Sequence, residues 1–463
     1  MVKHAVIVNL NLYWVMKMIK KVLIANRGEI AVRIIRALRE LGIESVAVYS
    51  TADEKALHTQ LADEAICIGP PSATDSYLNM ERIISATITS SADAIHPGFG
   101  FLSENSGFVK LCEECNINFI GPSYNVIENL GNKSNAKATM INAGVPVISG
   151  SKESITNINK GILIAEEIGF PVIIKAALGG GGKGMRIARS QSEFKSSFDN
   201  AKKEAKQAFS DERMYIEKYI ENPRHIEFQI LADKYGNVVH LGERECSIQR
   251  NHQKLLEEAP SAAISEELRN KMGNIARRAA EACNYENAGT IEFLLDKNNN
   301  FYFMEMNTRI QVEHPVTEAV TGIDIVKEQI KIAEGSKLSY TQDEILINGH
   351  AIECRINAEN PDNNFRPSPG KIEELHMPGG NGIRIDSAIY QGSEISPYYD
   401  SMVAKLIVHG KSRDEAIRKM DSALGEFILT GLITNIGFQH KIINDKRFIE
   451  GDIDINFIND IGE

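Results

Sequence analysis

Residues 290–307 read T-I-E-F-L-L-D-K-N-N-N-F-Y-F-M-E-M-N. Thr290–Asp296 and Phe301–Asn307 are strand-like, and Lys297–Asn300 forms the turn between them. A symmetric even loop sets Asp296 opposite Phe301, and counting outward sets Glu292 opposite Glu305. Directly opposed residues lie roughly 4.5–5.5 Å apart at Cβ, where like charges repel. A divalent cation with oxygen ligands resolves that conflict, magnesium bridged to phosphates being the usual case. Asn307 lies two residues on, along the same face. Two solvated glutamates on an exposed face are the alternative. Against it, Phe293, Leu295, Phe301 and Phe303 make the hairpin a core element.

The chain continues Asn307-Thr308-Arg309-Ile310-Gln311-Val312-Glu313-His314-Pro315. An extended backbone here puts Arg309, Gln311 and Glu313 on the face of Glu305 and Asn307. That face then carries a cation-binding carboxylate, a guanidinium suited to a planar anion and a second carboxylate available as a base. A structural salt-bridge network is the competing reading.

Upstream, Gly179-Gly180-Gly181-Gly182-Lys183-Gly184 joins the strand-like Pro171–Lys175 to Met185–Ala188. It is a strand–loop–strand turn. A Walker A loop needs Gly-Lys-Ser/Thr opening a helix, and here Gly184 follows Lys183. No Rossmann fingerprint is present either. Such a loop can close its backbone N–H groups over phosphates, with Lys175 nearby; a plain flexible hairpin is the alternative. Ser247–Pro260, with His252-Gln253-Lys254 and Glu257-Glu258, reads on its own as a charged loop. In Ala351–Ile356, alternation puts Ile352, Cys354 and Ile356 on one face and Ala351, Glu353 and Arg355 on the other. Arg355 thus projects from a strand opposite the core, a rigid place for a functional cation. A surface strand is an equally good reading.

Around these motifs the chain divides into three regions. Lys21–Ala25 is β-rich, Asn26-Arg27-Gly28 is a turn, and Ile30, Ile34, Ala37, Leu38 and Leu41 recur at helical spacing before Gly42. Ser45–Tyr49 is the next strand. Similar units, including Ala92–Ile95, run to about Pro122 and predict an open parallel sheet. A second region spans about Gly131 to Lys337 and holds a helix from Ser265 to Cys283. The third, from about Ile347, is strand-rich and then helical over Arg413–Phe427. The fold class is multidomain α/β and α+β.

Bulk properties agree. A chain of 463 residues implies two to four domains, since one core seldom exceeds roughly 250–300 residues. The net charge of −11 argues against a nucleic-acid binder but leaves room for an anionic substrate at local basic residues. Six scattered cysteines speak against a secreted disulfide framework. Cys112-Glu-Glu-Cys115 reads as two thiols on one helix. No run of about 18 apolar residues offers a membrane span. Residues 1–17 read either as a mis-assigned start, with Met18 the natural one, or as a dispensable extension. Their apolar stretch carries Asn9 and Asn11 and no small-residue cleavage site.

The segments V-L-I-A-N-R-G-E-I-A (22–31), H-P-G-F-G-F-L-S-E-N (96–105), G-G-G-G-K-G-M (179–185), E-K-Y-I-E-N-P-R-H-I-E (217–227), H-Q-K-L-L-E-E-A-P (252–260), E-M-N-T-R-I-Q-V-E-H-P-V-T-E (305–318) and E-C-R-I-N-A-E (353–359) occur in that order. In this the chain resembles the biotin carboxylases of the ATP-grasp superfamily, from Met18 to about Phe457. The resemblance implies an N-terminal domain at 18–131, an ATP-grasp domain at 132–338 with a mobile lid at about 148–220, and a C-terminal domain at 339–463. It implies ATP binding by Lys133, Lys175, Gly180, Gly181, Gly182, Lys183, Gly184, Glu217, Lys218, Ile220, His225, Gln249 and His252. Glu292, Glu305 and Asn307 would hold two magnesium or manganese ions. Lys254, Arg309, Gln311 and the Val312 backbone would bind bicarbonate, Glu313 would deprotonate it, and Arg355 would steady the biotin enolate.

Leu178 and Lys183 depart from the family's usual glycine and arginine, which puts nucleotide affinity or lid dynamics in doubt rather than the chemistry. The chain ends without a biotinyl carrier or carboxyltransferase domain. The expectation is therefore a cytoplasmic subunit of an acetyl-CoA or pyruvate carboxylase. It would be a homodimer and meet biotin on a separate carrier protein beside a carboxyltransferase subunit, with no nucleic acid or membrane. Another ATP-grasp carboxylate ligase would share the paired glutamates and lysines but not need Arg355 or the Arg309-Gln311-Glu313 set. A non-catalytic nucleotide-binding regulator is a further alternative.

Overall fold

The computed structural model describes residues 18–151, 153–177, 184–209 and 211–461. Strand Lys21–Ile24 (β1) leads into the helix Gly28–Leu41, which buries Ile30, Ile34, Ala37 and Leu38. Gly42 ends this helix at φ 72° and ψ 27°, a left-handed conformation open to glycine, and its N–H returns to the Arg39 carbonyl. Strands Glu44–Ser50 (β2), Glu64–Gly69 (β3), Ala94–His96 (β4) and Asn118–Phe119 (β5) complete a parallel sheet of order β3-β2-β1-β4-β5. The order reverses between β1 and β4, the place where open α/β sheets form a crevice. There the Asn26 amide donates to the carbonyls of Pro97 and Phe99, both at 2.7 Å, and ties the two crevice loops together.

A small antiparallel sheet follows, built from Val172–Ala176 (β6), Met185–Ala188 (β7) and Met214–Lys218 (β8) in the order β7-β6-β8. Helices Ile158–Ile168 and Gln191–Phe209 cover it over a core that includes Val172, Ile174, Phe194, Phe198 and Ile216. The expected strand–loop–strand turn is thus an antiparallel hairpin. Its residues 178–183, including Gly180, Gly181, Gly182 and Lys183, lie outside the described residues, as do residues 1–17.

The largest sheet is antiparallel throughout. Its strands are Arg224–Ala232 (β9), Val238–Arg250 (β10), Gln253–Ala259 (β11), Asn287–Leu295 (β12), Phe301–Asn307 (β13), His350–Asn357 (β14), Ile383–Ser387 (β15) and Met402–Gly410 (β16). They run in the order β13-β12-β9-β10-β11-β14-β16-β15. The sheet continues from the second sequence region into the third without a break, through the β11–β14 pairing. The helix Glu266–Ala282 packs on the β9–β10 part. Its cap is the expected Ser265, whose side chain accepts from the Leu268 N–H, and Cys283 closes it. The helix Arg413–Glu426 covers β14 and β16. No helix among the described residues is long and apolar enough to cross a membrane. Cys112 is buried in the helix Ser106–Glu114 and Cys115 caps it.

Two local expectations are corrected. Ser247–Pro260 is not a loop. Arg250 pairs with Gln253, and Asn251 and His252 turn between them at φ 50° and 65°, the positive values of a two-residue hairpin turn. The charged string misleads because Glu257 and Glu258 are fully buried. The segment after β13 is not extended to Glu313 either. It bends, and Glu313 stands at the N-cap of the helix His314–Thr321, with Pro315 in the first turn, where its missing N–H has no cost.

A chain ending at residue 338 loses β14 and leaves β11 as an unpaired edge carrying buried carboxylates. Such a fragment should aggregate on size-exclusion chromatography, and co-expression with residues 339–463 should restore solubility. A soluble, cooperatively melting fragment would contradict the continuity of this sheet.

Candidate active site

Register in the large sheet lines up three acids. Glu227 on β9 pairs with Glu292 on β12, and Glu292 pairs with Glu305 on β13. The Glu292–Glu305 pairing is the expected one, reached by two deviations that cancel. Leu295, not Asp296, faces Phe301, so the turn spans Asp296–Asn300, one residue more than the symmetric count. A bulge at Met304 takes up the extra residue, since Phe293 faces Phe303 while Glu292 faces Glu305. Met304 is 39% exposed, against 6% for Phe303.

Cations from neighbouring strands meet this row. Arg244 on β10 faces Glu227 in register and is fully buried. Its Nε donates to Glu227 at 2.6 Å, and its other nitrogens reach Gln229, Thr317 and Thr290. Lys254 on β11 lies 2.6 Å from Glu227, 3.2 Å from Glu292 and 2.6 Å from Glu313. Arg355 on β14 donates to Glu257 at 2.7 Å and to the second oxygen of Glu313 at 2.9 Å. Its face of β14 is therefore not a free surface. The buried Glu313 and the helix His314–Thr321 cover it.

The bend after β13 keeps the expected convergence even without extended backbone. Arg309 donates to Gln311 at 2.9 Å and to Asn307 at 3.2 Å. The amides of Asn307 and Gln311 both donate to Glu292, at 2.8 and 3.0 Å. His225 stands 3.0 Å from Glu292 by Nε2, and its Nδ1 lies 2.8 Å from the Gln249 amide. One connected network thus unites His225, Gln249, Lys254, Glu292, Asn307, Arg309, Gln311, Glu313 and Arg355. The carbonyl of Val312 faces the other way and accepts from Lys405 at 2.8 Å.

The remaining expected residues sit elsewhere. Lys175 on β6 clasps Glu217 on β8 at 2.6 Å. The Lys218 ammonium turns to the carbonyls of Gly169 and Phe170. Ile220 is half-buried beyond β8. Lys133 is exposed at the start of the helix Lys133–Asn142, and its charge acts on Glu305. His252 is exposed at the tip of the β10–β11 hairpin. Gly184 has a packing reason to be glycine, since a Cβ would meet that of Ala176 at 2.9 Å.

Sequence reasoning missed several partners. Glu227 shares a strand face with His225, a period-2 signal that the sequence carries. Lys137 joins Lys175 on Glu217 at 3.2 Å. Glu104, from the loop after β4, accepts from Arg309 at 2.8 Å and from the Thr308 N–H at 3.2 Å. Arg244 and Lys405 gave no local signal, and Glu257 read only as part of a charged loop, because their roles come from cross-strand register.

Electrostatics separates the acids. Burial raises the Glu313 carboxyl, but Lys254, Arg355 and Arg244 outweigh it and hold the group well below the usual carboxylate range. Glu292 behaves likewise: burial raises it, and Lys254 and His225 bring it far down. Glu305 lies farther from those cations, and burial together with the Glu292 charge raises it. Burial lifts Glu257 to about 7 against the pull of Arg355. Glu292, Glu305 and the Asn307 side chain offer hard oxygen donors side by side on paired strands. This donor set fits magnesium or manganese. Among the described residues, His225, Glu227 and Glu292 also bring ligand atoms within 4.8 Å of one another.

Comparison with known proteins agrees with this geometry. Residues 18–127 match the biotin carboxylase N-terminal domain, residues 132–341 the carbamoyl-phosphate synthase L chain ATP-binding domain, and residues 353–460 the biotin carboxylase C-terminal domain. The chain belongs to the biotin carboxylase family. It is 57% identical over 443 residues to biotin carboxylase from a Nostoc species, covering 96% of this chain and 99% of that protein. The biotin carboxylase domain dimer of Hydrogenobacter thermophilus 2-oxoglutarate carboxylase, solved with MgADP, ADP and bicarbonate, superposes with a TM-score of 0.88 at 51% identity, covering 96% of this chain and 98% of that one. The biotin carboxylase subunit of pyruvate carboxylase, known from its crystal structure, superposes with a TM-score of 0.87 at 51% identity, covering 96% and 99%. The fold class read from the sequence is that of these biotin carboxylases.

Replacing Lys254 with Met strands Glu227, Glu292 and Glu313 without their shared cation. The expected loss of stability is about 3–5 kcal/mol at neutral pH. In the variant, burial without the lysine raises these carboxyls above their unfolded pKa of about 4.3, so the deficit is full only above the raised folded values and shrinks as pH falls from there toward about 4.3. Urea unfolding at pH 7.5 and pH 5 checks this; an equal deficit at both would contradict it.

Proposed function

We propose that this chain carboxylates biotin on a carrier protein, using ATP and bicarbonate through carboxyphosphate. The observation that carries this reading is the double grip on Glu313. Lys254 and Arg355 hold its two oxygens at 2.6 and 2.9 Å, beside Gln311 and Arg309. A buried carboxylate held ionised, between cations that can also bind a small oxyanion, is the arrangement that bicarbonate activation needs.

Bicarbonate binds at Lys254, Arg309, Gln311 and the Val312 N–H, and Glu313 takes its proton. The freed oxygen attacks the γ-phosphorus of ATP. The bond from that phosphorus to the β–γ bridging oxygen breaks, and ADP leaves with the electron pair. Carboxyphosphate then splits at its C–O bond into CO2 and phosphate. The phosphate removes the N1 proton of biotin, Arg355 holds the enolate oxygen, and N1 attacks CO2. Lys133, Lys175, the glycine loop ending at Gly184, Glu217, Lys218, Ile220, His225, Gln249 and His252 serve the nucleotide. Glu292, Glu305 and Asn307 would hold two magnesium or manganese ions, which supply charge neutralisation at the phosphates.

The similarity to stand-alone carboxylase subunits supports two partners, a carrier protein and a carboxyltransferase, in an acetyl-CoA or pyruvate carboxylase. The dimeric relative supports a homodimer. Six unpaired cysteines suit a reducing, cytoplasmic compartment.

The test is ATP hydrolysis by the purified chain with magnesium and bicarbonate, with and without free biotin. Biotin should stimulate turnover. Glu313→Gln should lower it by about 10²-fold or more, the scale of a lost general base, and Arg355→Ala should abolish the stimulation. Turnover indifferent to biotin would point instead to another ATP-grasp carboxylate ligase.

A further inference from the structure

Lys405 is fully buried on β16, directly opposite Arg355 on β14 and Asp386 on β15. A buried ammonium persists only where it is paired. Its partners come from three parts of the molecule. The Val312 carbonyl lies 2.8 Å away, Glu29 of the Gly28–Leu41 helix 3.1 Å, and Asp386 3.9 Å. Glu353 on β14 and Arg384 on β15 also face it. Both Glu353 oxygens and both Glu29 oxygens are buried without a hydrogen-bond partner, so Glu29 meets the lysine as an ion pair alone. Acid thus exceeds base around this lysine, and one of its contacts is nevertheless a neutral main-chain carbonyl. That carbonyl belongs to the peptide joining Val312 to Glu313. Lys254 and Arg355 hold the Glu313 side chain.

We propose that Lys405 is a positioning residue: ion-paired with Glu29, it fixes the Val312–Glu313 peptide and so sets the backbone from which the Glu313 carboxylate is presented to bicarbonate. The inference rests on the function proposed above. It makes the first helix of the N-terminal region part of the support for bicarbonate, although that helix lies outside the cluster itself. Loss of the clamp lets the Val312–Glu313 peptide turn, while Lys133, Lys175 and Glu217 stay in place.

The test is steady-state kinetics on the full chain. Wild type comes first: no dependence on bicarbonate and biotin would end the functional reading itself. Given that dependence, Lys405→Met should raise KM for bicarbonate about tenfold, with KM for ATP within about twofold of wild type. The double variant Glu29→Gln/Lys405→Met removes the unpaired Glu29 charge. It should recover thermal stability but keep the raised KM for bicarbonate, and it carries the test if the single variant does not fold. A wild-type KM for bicarbonate in the folded double variant, or a parallel rise in KM for ATP, overturns the proposal.

Discussion

Three glutamates in one register row are the constraint on which the rest of this molecule depends. Adjacent strands are about 4.8 Å apart, so Glu227, Glu292 and Glu305 crowd negative charge into the body of a sheet. Burial of Glu227 and Glu292 keeps water from screening their charge, while Glu305 stands exposed on the edge strand. The sheet balances the row from its other strands. Acids occupy β9, β12 and β13, and the cations that answer them, Arg244 and Lys254, come from β10 and β11. The strand from the third sequence region, β14, brings Arg355 to Glu257 and Glu313, the acids beside the row.

The balance is incomplete, and the remainder is useful. Lys254 and Arg355 hold Glu313 ionised, which suits a base. Glu305, beyond their reach, keeps unsatisfied charge on the outer strand beside exposed Lys133, which suits a cation arriving with phosphates. The N-terminal region closes the arrangement from outside the sheet. Glu104 steadies Arg309, and Glu29 anchors Lys405 under the Val312–Glu313 turn.

Much of this is legible in the sequence. The Ser265 cap, the Gly42 stop and the parallel N-terminal units follow from local periodicity and capping chemistry, which act over a few residues. The paired Glu292 and Glu305 are legible through alternation, although the five-residue turn and the Met304 bulge that produce the pairing are not. Neither leaves a distinct local signal. In Ser247–Pro260 the charges suggest solvent exposure, yet Glu257 and Glu258 are paired by Arg355 and by Arg413 and His350 from distant strands and a helix. Arg244 and Lys405 are invisible for the same reason: cross-strand register gives them their partners, and one chain segment alone does not specify it.

The most direct measurement is a crystal structure of the chain with ADP and manganese, with the metal located by its anomalous scattering. The charge balance described here predicts manganese between Glu292 and Glu305 with Lys254 still on Glu227 and Glu313. Manganese centred among His225, Glu227 and Glu292, with Lys254 displaced, would contradict it.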